Sequence, residues 1–210
     1  MDGSGSGLRE RKKRATENAI ERAAIDLALA HGHAAVTVAA ICTRADVSRS
    51  TFFNYMPSRE AALFGRSIHL APTPVAAAVL EASRDIPLVR AVCRLILASI
   101  GNAHINAEVA AGRNRLILEQ PDTQPMILAP FLSLTAELTA FLAEALQADP
   151  SRRTVTDIPV VREASLTVSL AVGAFMALIT DLQGEGDVET TEQAFDEALE
   201  RLALIADAGR

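Results

Sequence analysis

Tryptophan is missing from these 210 residues, which hold one tyrosine and two cysteines, with glycine (11) and proline (9) also scarce. Each shortage excludes something. Cys42 and Cys93 stand at no metal-ligand spacing and each inside an apolar helical pattern, so no metal site is expected. With no signal peptide read at the N-terminus, a reduced cytoplasmic protein with buried thiols is the expectation. There is no Gly-rich phosphate loop, no nucleophile elbow, and no carboxylate pair sharing a helical face near a histidine. We therefore expect no enzyme and no cofactor. What is present is apolar: half of the residues, mostly Ala, Leu, Ile and Val, with a mean hydropathy of +0.21. That content excludes general disorder, and good helix formers with few breakers predict an all-α protein. The length suits one or two compact units.

Charge is unevenly spread along the chain. Residues 1–66 carry ten Lys/Arg against seven acids, and residues 67–210 carry ten against nineteen, so a basic end of +3 precedes an acidic body of −9. Such a chain is expected to meet a polyanion at one end only. The apolar uncharged run ASLTVSLAVGAFMALIT (Ala164–Thr180) is at the short limit for a membrane span. It holds Ser165, Thr167, Ser169, Gly173 and Thr180 between Arg162, Glu163 and Asp181, so a helix buried on all sides in protein is expected, and no membrane partner.

Helical periodicity organises the chain into about nine helices, with no strand-like alternation. MDGSGSG (1–7) is a flexible leader. The first helix runs over 8–31, with Ile20, Ala23, Ala24, Leu27 and Ala28 at helical spacing and Gly32 as its stop. Thr37 caps a short helix to Arg44, Ala45-Asp46-Val47 is a three-residue turn, and Ser48 caps a second short helix over 49–55. Pro57 ends it, and Ser58 caps a helix from Arg59 to about Leu70. A short helix at 74–84 follows, then helices at 87–107, 108–118, up to 147 after Pro121, Pro125 and Pro130, and 160–182, and after a loop with Gly184 and Gly186 a last one at 190–207. The domain division read from this is 8–57 and 58–210.

Two short helices joined by a three-residue turn have the dimensions of a helix-turn-helix. Val38, Ile41, Ala45, Val47 and Phe52 supply the small and aliphatic inside that such a crossing needs. Arg49, Ser50, Thr51, Asn54 and Tyr55 give the second helix a polar outside that can lie in a major groove.

The stretch GHAAVTVAAICTRADVSRSTFFNYMPSREAAL (residues 32–63), with the basic helix before it, resembles the TetR family of one-component transcriptional repressors. The resemblance covers about the first third of the chain. The rest matches only in length and helix count, as in a family whose remaining helices form a divergent ligand-binding and dimerisation body. It implies that Thr37 and Thr51 touch phosphates, that the Tyr55 ring rests on the sugar-phosphate backbone, and that Arg59 grips a phosphate at a helix start. Arg49, Ser50 and Asn54 become the base-contact candidates, Arg for guanine and Asn for adenine. Lys12 and Lys13, in the cluster Arg9–Arg14, would meet backbone or minor groove. Phe53 stands where the family often has Tyr and so lacks a phosphate-donating hydroxyl, and Asp46 stands where Gly is usual in the turn. Phe52 is expected in the core. His31 and His33 are expected at the surface.

A body of this type implies an effector and a homodimer through the last two helices. The uncharged faces of 87–107, 124–147 and 160–182 suggest a pocket lined by Cys93, Leu97, Ile100, His104, Phe131, Thr135, Ser169 and Met176, taking an apolar or amphipathic small molecule. Asn102, Asn106, Arg113 and Arg115 are the further polar exceptions, and a core or packing role is the competing reading for each. The expected function is a ligand-responsive regulator that binds a palindromic DNA operator as a dimer. A helical interaction module that never binds DNA is the alternative, which the acidic net charge of −6 mildly favours.

Overall fold

The computed structural model describes residues 4–100, 104–180, 187–189 and 191–208. Among these residues the fold is all-α in character, with ten α-helices. They are α1 (Ser4–His31), α2 (Val38–Ala45), α3 (Arg49–Tyr55), α4 (Arg59–Phe64), α5 (Thr73–Glu81), α6 (Leu88–Ile100), α7 (Ala107–Glu119), α8 (Gln124–Ala148), α9 (Val160–Thr180) and α10 (Glu192–Asp207). Strands β1 (His104–Asn106) and β2 (Asp187–Glu189) pair into a small two-stranded sheet that periodicity did not predict. Three residues are too few to show alternation.

Several boundaries differ from expectation. α1 already includes Ser4, inside the stretch read as a leader, because adding residues to an established helix costs far less than nucleating one. α4 stops at Phe64, where Gly65 takes φ 105°, a left-handed value that few other residues adopt. α6 ends at Ile100, so His104 falls on a strand instead of extending the helical stripe of Cys93, Leu97 and Ile100. The loop read around Gly184 and Gly186 lies outside the described residues.

The described chain forms two compact units, one within residues 1–67 and 106–130, the other within 68–105, 131–182 and 187–210. This differs from the linear division at residue 57: α4, α7 and the first residues of α8 belong with the helix-turn-helix. The core of the first unit is Ile20, Ala24, Ile41, Phe52, Met56, Leu63 and Leu116, all essentially buried. On the order of 25 cal/mol per Å² of apolar surface removed from water holds such a cluster together. Gly112 allows α7 to approach α1 closely, since a Cβ there would lie 2.6 Å from Ile25 Cγ2.

The second unit is built on Val92, Leu95, Ile96, Leu138, Leu142, Val168 and Phe175. Phe175 stacks on Phe195 with centroids 5.9 Å apart and meets Phe131 at 5.8 Å. α8 and α9 are long and apolar enough to cross a membrane, but Leu138, Leu142, Val168 and Phe175 on them pack in this core. α9 is not buried on all sides as expected. Its Val161, Leu166 and Leu170 are exposed, as are Leu204 and Ile205 on α10.

Candidate nucleic-acid interface

Three successive hydroxyl caps shape the first unit. Thr37 Oγ1 accepts the Ala40 N–H at 3.2 Å, Ser48 Oγ accepts that of Thr51 at 3.0 Å, and Ser58 Oγ accepts that of Ala61 at 3.1 Å. Each satisfies a backbone donor that a helix start leaves without an intrahelical partner. Between α2 and α3 the chain reverses at Asp46, the one non-glycine residue at positive φ among those described (φ 53°, ψ 47°). The Val47 N–H closes the turn by donating to Cys42 O at 3.0 Å. Asp occupies the position glycine would because its short polar side chain tolerates the left-handed region better than most.

α3 is then fixed by one side only. Phe52 and Met56 have no exposed surface, while Arg49, Ser50, Phe53 and Asn54 are exposed and Thr51 and Tyr55 are half-buried. Tyr55 packs its ring against the core of its unit. The hydroxyls of Ser50 and Thr51 lie 2.9 and 2.8 Å from Ser48 Oγ, so the start of α3 presents three clustered hydroxyls. Phe53 is 48% exposed and meets Phe52 edge to face at 5.2 Å, and the Arg49 guanidinium lies over its ring, 5.7 Å from the centroid. Lys12 and Lys13 are exposed on α1, and Thr37 is exposed at the start of α2.

Arg59 is tied within its own unit. Its Nη1 donates to His33 O at 3.2 Å and Val36 O at 3.0 Å, and its Nε donates to Glu60 at 2.9 Å. The guanidinium thus ties α4 to the loop before α2. Glu60 is held below the ordinary carboxylate range by a backbone hydrogen bond and by Arg59.

His33 departs from the surface position expected for it. Its backbone N–H and Nδ1 lie 2.9 and 3.1 Å from Gln120 Oε1, while Gln120 Nε2 donates to Ala28 O at 2.7 Å. His31 is exposed. Gln120 had no signal in the sequence, since its partners lie 87 and 92 residues away. Arg113 has a packing role: it donates to Leu63 O at 3.1 Å and to Glu21 at 2.9 Å. Arg115 pairs with Glu119 one turn along α7. Asn106 caps α7 by accepting the Val109 N–H at 3.0 Å.

Of the expected pocket residues, Cys93, Leu97, Ile100, Phe131 and Met176 lie in or against the core of the second unit. Cys93 is buried, its thiol pushed up to about 12 by burial and by the Asp196 carboxylate, and it lines a cavity of about 60 Å³ with Arg94, Phe195 and others. The Thr135 hydroxyl is turned back onto Phe131 O at 2.8 Å, Ser169 is exposed, and Leu97, Ile100, Phe131 and Met176 pack partly buried against the core. The side chains of Asn102 and His104 lie outside the described residues.

A different cleft of about 250 Å³ opens in the second unit, lined by Leu88, Val89, Val155, Ile158, Leu166 and Leu170 among others. Glu163 lies at its edge, only 2% exposed. Burial raises the pKa of this carboxyl. Arg153 Nε at 2.8 Å and the backbone N–H groups of Thr154 at 2.6 Å and Val155 at 2.9 Å outweigh that and hold it below the ordinary value. Among the described residues no group of His, Cys, Asp and Glu is arranged to hold a metal.

Residues 20–64 match the family model described as bacterial regulatory proteins, tetR family. Over 97% of its length the chain is 26% identical to the HTH-type transcriptional regulator TcmR of Streptomyces glaucescens, of which it covers 91%. Similar solved structures include Salmonella enterica GusR (18% identity, 90% of this chain and 93% of that one, TM-score 0.43). Another is Thermus thermophilus FadR, a TetR-family transcriptional repressor in complex with lauroyl-CoA (23% identity, 91% and 93%, TM-score 0.36). The matched segment runs from α1 through the capped turn to α4, so it is this N-terminal part of the chain, with α2 and α3 as a helix-turn-helix, that is similar to the tetR family of bacterial regulatory proteins.

Proposed function

We propose that the protein is a cytoplasmic repressor that binds a palindromic operator as a homodimer and is released by an apolar or amphipathic small molecule. The observation that carries the DNA reading is the division of α3: Phe52 and Met56 are wholly buried while Arg49, Ser50, Phe53 and Asn54 face outward. A helix anchored from one side with exposed donors on the other fits a major groove. In this reading Arg49, Ser50 and Asn54 meet base edges. Thr37, Thr51 and Tyr55 meet phosphates and sugars, and Lys12 and Lys13 add sequence-independent charge.

Dimerisation through α9 and α10 is supported by the exposed Val161, Leu166, Leu170, Leu204 and Ile205, which a second copy would remove from water. The effector enters the second unit, where the 250 Å³ cleft is aliphatic apart from Thr154, Glu163 and Thr167. A mobility shift at low salt with DNA upstream of the protein's own gene tests the reading. The wild-type chain is expected to shift it, and Arg49→Ala combined with Tyr55→Ala is expected to abolish the shift while leaving the helical circular dichroism intact. No shift by the wild type, with or without small molecules, would leave a helical interaction module as the better description.

A further inference from the structure

Phe53 is the oddity of α3: a phenyl ring, 48% exposed, on the face that carries Arg49, Ser50 and Asn54. It is also well fixed. From beneath, the fully buried Phe52 meets it edge to face at 5.2 Å and 87°. From above, Arg49, one helical turn earlier, lays its guanidinium over the ring at 5.7 Å. Among the described residues Arg49 has no carboxylate partner, whereas Arg44 on α2 pairs with Asp26 at 3.0 Å.

A guanidinium held by its face keeps its N–H donors free in the plane, where they match the O6 and N7 acceptors of guanine. A side chain already held in place loses less rotamer freedom on binding. The exposed part of the ring has no donor, and the apolar feature of the major groove is the C5-methyl of thymine. Resting on the DNA-binding reading above, we infer that Arg49 and Phe53 read DNA as one unit, the stacked arginine taking a guanine and the phenyl ring the methyl of a nearby thymine. Residues one turn apart are about 6 Å from each other and base pairs about 3.4 Å, so the thymine lies within about two base pairs of the guanine. Phe53 is thus both a specificity-determining contact and the positioning residue for Arg49.

Selection from random duplex DNA by the purified full chain, followed by fluorescence anisotropy on the selected duplex, tests this. The wild type is expected to select a half-site with a guanine and a thymine so spaced, the guanine preference being lost in Arg49→Ala. Replacing that thymine by deoxyuridine, which deletes only the methyl, is expected to weaken wild-type binding roughly fourfold, the worth of one buried carbon. Phe53→Ala is expected to be indifferent to the deoxyuridine and to lose about fivefold or more of the discrimination at guanine, where intact bidentate contacts supply about 1–3 kcal/mol. Phe53→Tyr keeps the ring and is expected to keep both preferences. The ring is half exposed, so circular dichroism of Phe53→Ala is expected to match the wild type. The inference is overturned if Phe53→Ala keeps the selected motif and the deoxyuridine sensitivity and merely binds all sequences more weakly. A motif without such a thymine overturns it too. A wild type that selects no motif overturns the DNA-binding reading and this inference with it, whereas a motif independent of Phe53 overturns this inference alone.

Discussion

The two units start their helices differently. In the first, α2, α3 and α4 begin on Thr37, Ser48 and Ser58, whose side-chain oxygens accept backbone N–H groups three residues on. In the second, α5, α6 and α9 begin after prolines, with Val75, Arg90 and Arg162 donating to the carbonyls of Pro72, Pro87 and Pro159 at 2.8 to 2.9 Å. α10, capped by Thr191, is the exception. A proline start presets the backbone and offers no donor, which suits a scaffold. A hydroxyl start leaves a polar side chain beside a positive helix end, which suits an anion. The ion pairs differ in burial as well. Arg59 and Arg113 in the first unit are partly exposed and pair with Glu60 and Glu21, whereas in the second Arg153 and two backbone N–H groups converge on the buried carboxylate of Glu163.

The largest break in that comparison is expected at Glu163. Arg153→Ala leaves a nearly buried carboxylate without its counter-charge and is expected to cost about 3–5 kcal/mol in urea denaturation. The pH dependence has a defined sign. The carboxyl's folded value lies below its ordinary 4.5, so its contribution is fully present above about that pH and is lost as pH falls through the lowered folded value. The stability gap between wild type and Glu163→Gln is therefore expected to close on acidification from neutral pH. A gap unchanged down to pH 3 would show that the pair contributes nothing through charge.

Removing one start from each unit separates the two devices by a smaller margin. Ser48→Ala is expected to cost about 1 kcal/mol, through the lost cap. Pro159→Ala is expected to cost about 0.4–1 kcal/mol, acting mainly through the freedom of the unfolded chain. Thermal melts of both variants test whether the hydroxyl starts carry more. The smallest effect belongs to the turn: Asp46→Gly relieves a left-handed residue but adds freedom to the unfolded state, so the net change is expected to stay within about 1 kcal/mol. On the proposed function it also removes a negative charge near DNA, and anisotropy titrations are expected to show tighter binding.

These contrasts explain what was legible beforehand. α2, the turn and α3 could be placed because caps, periodicity and Phe52 act within a few residues of one another. The stop at Gly65 was equally local and was read past, since the apolar pattern continues to Leu70. The internal ties of Arg59 are hidden from the sequence for the opposite reason: its acceptors, His33 O and Val36 O, lie 26 and 23 residues back, and no local pattern marks a carbonyl as waiting for a guanidinium. A stripe on one helix likewise says nothing of whether neighbouring helices fill the space beside it.

Sequence alone determined the helical class, the capped helix-turn-helix and the likeness of that segment to the tetR family, because these rest on interactions that span one turn of chain. Tertiary structure decided the rest. It joined α7 and the start of α8 to the helix-turn-helix unit, took Arg59, Arg113 and Gln120 for internal ties, and left α9 with an exposed apolar face. Each of those outcomes depends on which distant group occupies the last few ångströms beside a side chain, and that is settled only when the whole chain packs.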